Sequence, residues 1–221
     1  MRYKNYNQFL NEGSYDKLAG EIVDAIWPII KLTSPKGEHE MLQFDLGEFN
    51  DKVFIDDAQL FIKREAVSNS RGVIVDAGAY PSVNGIEFIV TLDPAKEPQS
   101  YQKLNAVLQD AARHEIEHLT QGGENRRPSK VKITGSIIRN KISGDKGNLY
   151  KYFLLKDEVP AMANGMYRQA KTEKRPLNDV FNEYLDYFID QKLMTKTERN
   201  KVLKTWITFA KKNLPKAQYT I

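Results

Sequence analysis

Hydrophobic spacing along the chain changes twice, and each change marks a different kind of element. Near the start Leu18, Ile22, Val23 and Ile26 recur at helical intervals. They predict a helix capped by Ser14 and running to about Trp27, with Pro28 ending or kinking it. From Met41 the interval becomes two. Leu42, Phe44 and Leu46 alternate with polar neighbours, and AQLFIKREAV (58–67) and GVIVDAGA (72–79) also have the length and content of strands. Asn84-Gly85 is a turn signal, and IEFIVTLD (86–93) follows with Ile86, Phe88, Val90 and Leu92 on one side. After Pro98 the helical interval returns, from about Ser100 to Gln121, where Gly122 and Gly123 stop it.

Three further helices are predicted beyond a polar, basic stretch from Gly122 to Asn148. One covers about Asp157 to Lys171. The next covers about Pro176 to Leu193, with Leu177, Val180, Phe181, Tyr184, Leu185 and Phe188 inward. The last is introduced by the capping box Thr195-x-x-Glu198 and carries Val202, Leu203, Trp206 and Phe209. The aromatic and Met residues of these helices fit a packed core. The pattern is that of an α+β protein: a small, mostly antiparallel sheet and its helices in an N-terminal lobe (residues 1–148), then a helical C-terminal lobe (149–221).

Composition narrows the chemistry. Apolar residues make up 41% and charged residues 28%, which is ordinary for a globular protein. No cysteine is present, so disulfides, thiolate metal sites and cysteine nucleophiles are excluded. A transition-metal site must then use His and carboxylates, which suits zinc. The N-terminal segment lacks the unbroken apolar core of a signal peptide, and no window approaches a membrane span. The expected location is the cytoplasm, with no membrane partner. A net charge of +4 is mild, and its lysines are spread along the chain rather than forming a nucleic-acid signature, so nucleic acid is not the expected partner.

The stretch AARHEIEHLTQGG (111–123) holds two of the three histidines, four residues apart, with a glutamate after the first. At this histidine content, H-E-x-x-H is expected by chance roughly 0.005 times, and its mechanical meaning is zinc with a general base. At about 100° per residue, Leu104, Val107, Leu108, Ala111 and Leu119 form one apolar stripe. His114, Glu115 and His118 fall within it, while Arg113 and Glu117 point the other way, toward water. Three titratable groups on a buried face need compensation, and an ion held by two imidazoles one turn apart supplies it. His114 and His118 are thus expected as metal ligands. Glu115 is expected as the base toward a water, passing the proton on to a leaving amine.

HEIEH on a helix after a strand resembles the zincin metallopeptidases. That resemblance implies a mixed sheet, an active-site helix beneath it, an edge strand lining the substrate cleft and a helical lower lobe. Ile86–Leu92 is placed in sequence to be that edge, where a substrate adds as a strand. The segment YFLLKDEVPAMANGMYRQAK (152–171), with Asp157 as N-cap and Glu158 in the first helical turn, is similar to the glutamate zincins, in which a second helix supplies Glu to the metal. The closest likeness is to metallopeptidases encoded by tailed phages, which join H-E-x-x-H-x-x-Q (here His114 to Gln121) to an E-x-x-A segment (here Glu158 to Ala161). It covers roughly Ile86 to Lys171. The thermolysin-like E-x-x-x-D pattern is absent, since Met162 stands four after Glu158.

A catalytic zinc takes a third protein ligand and keeps one position open. His39, in a polar stretch before the first strands, is expected at the surface. The resemblance favours Glu158; Glu124, ten residues after His114, and Asp157 stay as alternatives. The expectation is a zinc-dependent metallopeptidase acting on a protein or peptide substrate, in a host cytoplasm or a virion if phage-encoded. Its rivals are a virion or interaction protein with a structural or vestigial zinc site, a narrow regulatory protease with one repressor-like target, and a nucleic-acid module. The basic stretch between the two ligand-bearing helices is expected to act as a lid.

Overall fold

The computed structural model describes residues 4–33, 39–50, 53–69, 71–80, 82–97, 100–120 and 149–220. The chain is mixed α and β, with a four-stranded sheet and six α-helices among the described residues. It forms two compact units, Met1–Ser129 and Lys130–Ile221.

In the first unit, α1 (Lys4–Leu32) precedes β1 (His39–Asp45), the short pair β2 (Phe49–Asn50) and β3 (Phe54–Ile55), β4 (Asp57–Arg64), β5 (Val73–Tyr80) and β6 (Gly85–Leu92). A 3-10 turn at Pro94–Lys96 then leads to α2 (Tyr101–Thr120). The helix α1 begins ten residues before Ser14 and passes through Pro28. Proline in a helix interior costs about 3 kcal/mol. Burial beyond it offsets this, since Ile30 has no exposed surface and Ile29 packs on the core. His39 is the first residue of β1 rather than part of the loop before it.

Strand order is β1-β4-β6-β5. β4 pairs with β1 antiparallel and with β6 parallel, while β5 pairs with β6 antiparallel. The sheet is therefore mixed at its centre. Residues 86–92, expected at the edge, are bonded on both sides, and β5 holds that edge instead. Local alternation could not distinguish them, because it reports which face is buried and not which strand is the neighbour. Asn84 takes the left-handed conformation (φ 47°) that its type tolerates and leads into β6 at the predicted turn.

One face of the sheet is apolar. Leu60, Ile62, Phe88, Val90 and Leu92 are buried there with Leu18, Ile22 and Ile26 of α1 and Leu104, Leu108 and Ile116 of α2 in one cluster. Each such side chain contributes about 1.5–3 kcal/mol relative to exposure. The helix α2 packs on both α1 and β5, and this double contact fixes its orientation.

The second unit is helical: α3 (Leu149–Tyr152), α4 (Glu158–Glu173), α5 (Leu177–Asp190) and α6 (Lys196–Asn213). Its core gathers Phe153, Met162, Met166, Phe181, Leu185, Val202 and Trp206. Trp206 has no exposed surface, and its indole Nε1–H donates to the Phe153 carbonyl at 2.9 Å, so burial leaves that donor satisfied. The capping box at α6 is complete. The Glu198 N–H donates to Thr195 Oγ1 at 3.3 Å, and the Thr195 N–H donates to Glu198 Oε2 at 2.9 Å. Thr195→Ala should lower unfolding free energy by about 0.5–2 kcal/mol, read by urea denaturation. The Thr195 backbone bond holds the Glu198 carboxyl below its usual range. Its share is therefore present above that range and fades as pH falls through the folded value.

Candidate metal centre

Three quite different surroundings meet along α2. Leu104, Leu108, Ala112, Ile116 and Leu119 have little or no exposed surface and anchor the helix in the core. Arg113, expected to face water, is 2% exposed. It reaches α1 instead, where its guanidinium lies 3.5 Å from Asp16 and 5.2 Å from the Tyr15 ring, and it donates to Glu117 at 2.8 Å. Two carboxylates and an aromatic face compensate a buried charge that the helical wheel alone assigns to solvent. Burial raises the Tyr15 hydroxyl above its ordinary pKa, opposed by a hydrogen bond with Thr120. These contacts lock α2 against α1 along the turns that carry the histidines. The i,i+4 spacing of Arg113 and Glu117 was the sequence signal for part of this network.

The third surrounding is the site. His114 and His118 turn their rings toward each other, edge-on at 78° with centroids 4.6 Å apart. Their Nε2 atoms converge to 3.0 Å. Two metal–nitrogen bonds of about 2.0–2.1 Å span such a separation, so the pair fits a shared ion. Glu115 is 6% exposed, with its Oε1 3.8 Å from His114 Nε2, too long for a hydrogen bond. The carboxylate thus stands beside the imidazole pair without being tied to it by that contact. The helix places all three as the H-E-x-x-H spacing predicts.

At the end of β5, Tyr80 senses the same region. Its hydroxyl is held above the ordinary tyrosine value, first by burial and then by the negative charges of Glu87, Glu115 and Asp76. No motif marked Tyr80. Its neighbourhood follows from β5 packing on α2, a tertiary contact.

Glu158 opens α4 and has no exposed surface. Its N–H donates to the Leu155 carbonyl at 3.1 Å, so the turn after Phe153 fixes where this helix begins. Asp157 occupies the cap position but makes no side-chain cap bond, because its backbone (φ −86°, ψ −29°) is already helical rather than extended. Among the described residues one His and carboxylate group could hold a metal ion: His114, His118 and Glu158, with one ligand atom from each and all of these within 4.8 Å of one another. Glu124 and the basic stretch 122–148 lie outside the described residues. No helix of the described residues is long and apolar enough to cross a membrane.

No protein-family model, no curated protein and no solved structure matches the chain.

Proposed function

We propose that this chain is a zinc-dependent metallopeptidase of the glutamate-zincin type, with His114, His118 and Glu158 as metal ligands and Glu115 as general base. One observation carries the reading: two imidazole Nε2 atoms converge to 3.0 Å on a core helix, beside a carboxylate that is 6% exposed. A histidine pair serving packing alone has no need of a buried acid next to it, and placing that acid there is costly without a charge to answer it. Zinc bound by these residues supplies a Lewis acid, which lowers the pKa of water toward neutrality and polarises a carbonyl.

The chain's own residues do the rest. Glu115 takes the proton from the attacking water and returns it to the departing amine, as a carboxylate close to the reacting centre can. The edge strand β5 runs beside α2 and offers backbone groups for an extended peptide to pair with.

The purified protein should contain about one zinc per chain by elemental analysis, because two imidazoles and one carboxylate form one site. It should cleave members of a peptide library, and a chelator should stop cleavage until zinc is restored. A protein that takes up no zinc refutes the metal centre. Zinc at full occupancy without cleavage of any peptide or denatured protein refutes the peptidase and leaves a structural site.

A further inference from the structure

The edge strand β5 packs on the histidine-bearing helix α2, and its two faces differ in kind. Val75, Ala77 and Ala79 pack on the core, so Asp76, Gly78 and Tyr80 face outward by strand alternation. Across the ladder Gly78 stands opposite Glu87. The neighbours of Glu87, Ile86 and Phe88, are buried, so Glu87 shares the outer face. Tyr80 folds back along the strand toward the glycine. A Cβ placed on Gly78 would meet the Tyr80 hydroxyl oxygen at 3.8 Å and its Cε2 at 3.9 Å. The ring, 49% exposed, thus borders the space that a side chain at position 78 would occupy.

Carboxylates at a sheet edge often do no more than keep it solvated and unpaired. Here an aromatic ring stands among them. The negative charges of Glu87, Glu115 and Asp76 all act on the Tyr80 hydroxyl, which puts this shelf within electrostatic reach of the proposed base. The outer charge is also unanswered. Asp76 Oδ1 accepts from the Ala77 N–H at 3.0 Å, and no lysine or arginine pairs with Asp76 or Glu87 among the described residues.

We propose that this shelf selects peptide substrates carrying Lys or Arg at the residue that pairs with Gly78. The inference rests on the peptidase reading and names its substrate class. A peptide added to β5 as a strand puts the residue opposite Gly78 on the outer face, roughly 4.5–5.5 Å from its partner. Glycine has no side chain there, so the guest side chain is free to cross it. It runs between Asp76 and Tyr80 toward Glu87 on β6. A long aliphatic stem then lies along the tyrosine ring, and its cationic end meets two carboxylates. An acidic side chain at the same place meets like charge from both.

The zinc-loaded, full-length protein tests this with a peptide library randomised on both sides of the cleaved bond and read by mass spectrometry. Lys and Arg should be enriched at one position. Peptides differing only there should give kcat/KM at least about tenfold higher for Lys than for Glu. In Asp76→Asn/Glu87→Gln that ratio should fall at least about fivefold, and Asp76→Lys/Glu87→Lys should invert it. Zinc content and Tm should match wild type in both variants, so that a changed ratio reports recognition and not unfolding. Cleavage without a preference for Lys or Arg overturns this inference and leaves the peptidase reading standing. A ratio unchanged in the double amide variant does the same. Zinc-loaded protein that cleaves no peptide overturns both.

Discussion

Glu115→Gln is expected to lower peptide hydrolysis by about 10²–10⁴-fold while zinc content and unfolding temperature stay near those of the wild type. The amide has almost the volume of the acid, so a site that is 6% exposed keeps its packing. It cannot accept a proton from the attacking water. The two histidines remain in place because Arg113, Asp16 and Glu117 lock α2 to α1, and the substitution touches none of these contacts. Loss of the base should also remove the acidic limb of the kcat/KM profile, a change that a general loosening of the helix would not produce. Turnover within tenfold of wild type in a folded, zinc-loaded variant would sink the assignment of Glu115.

The same locking contacts show where the sequence stopped being legible. The histidine spacing was readable because i and i+4 on a helix share a face whatever surrounds them. The capping box at Thr195 was readable for a similar reason: both partners lie within one turn. Arg113 was not. Its compensation comes from Asp16 and Tyr15, on a helix almost a hundred residues earlier, and nothing in α2 itself announces that a second helix covers that side. Strand existence followed from alternation, yet strand order did not. β4 and β6 carry nearly the same buried pattern, and their parallel pairing places β6 inside the sheet. The feature that could have marked β5 as the edge is the run Asp76, Ala77, Gly78 and Ala79, a charged residue and three small ones, that follows Val73, Ile74 and Val75. Ser14 misled because a good cap residue has no power to start a helix when the chain before it is also helical.

Edge position and metal ligation meet in the last expected result, which sets Glu158 against its rivals. Glu158→Ala should weaken zinc affinity at least about tenfold in a competitive chelator titration, because a catalytic zinc loses one of three protein ligands. The ground for choosing Glu158 is its setting. It has no exposed surface, its N–H is bonded to Leu155, and it follows Phe153, whose carbonyl accepts from the buried Trp206 indole. A carboxylate so placed loses little freedom on binding an ion, and freedom already lost before binding favours affinity. Asp157 is only half-buried. Asp157→Ala should therefore leave zinc affinity within about threefold of wild type, since a partly solvated carboxylate beside the site contributes little. Glu124→Ala should do the same, because Gln121 stands where the metzincin pattern needs a glycine for its sharp turn. Glu158→Gln separates ligation from packing. It keeps the side-chain volume, so it should match Glu158→Ala in zinc affinity while unfolding like wild type without metal. Each tenfold loss of affinity should also remove about 1.4 kcal/mol of the stability that saturating zinc confers, measurable as a smaller zinc-induced rise in Tm. If Glu124→Ala instead lost the metal and Glu158→Gln kept it, the third ligand would come from the stretch directly after α2, and the centre would be of the metzincin kind.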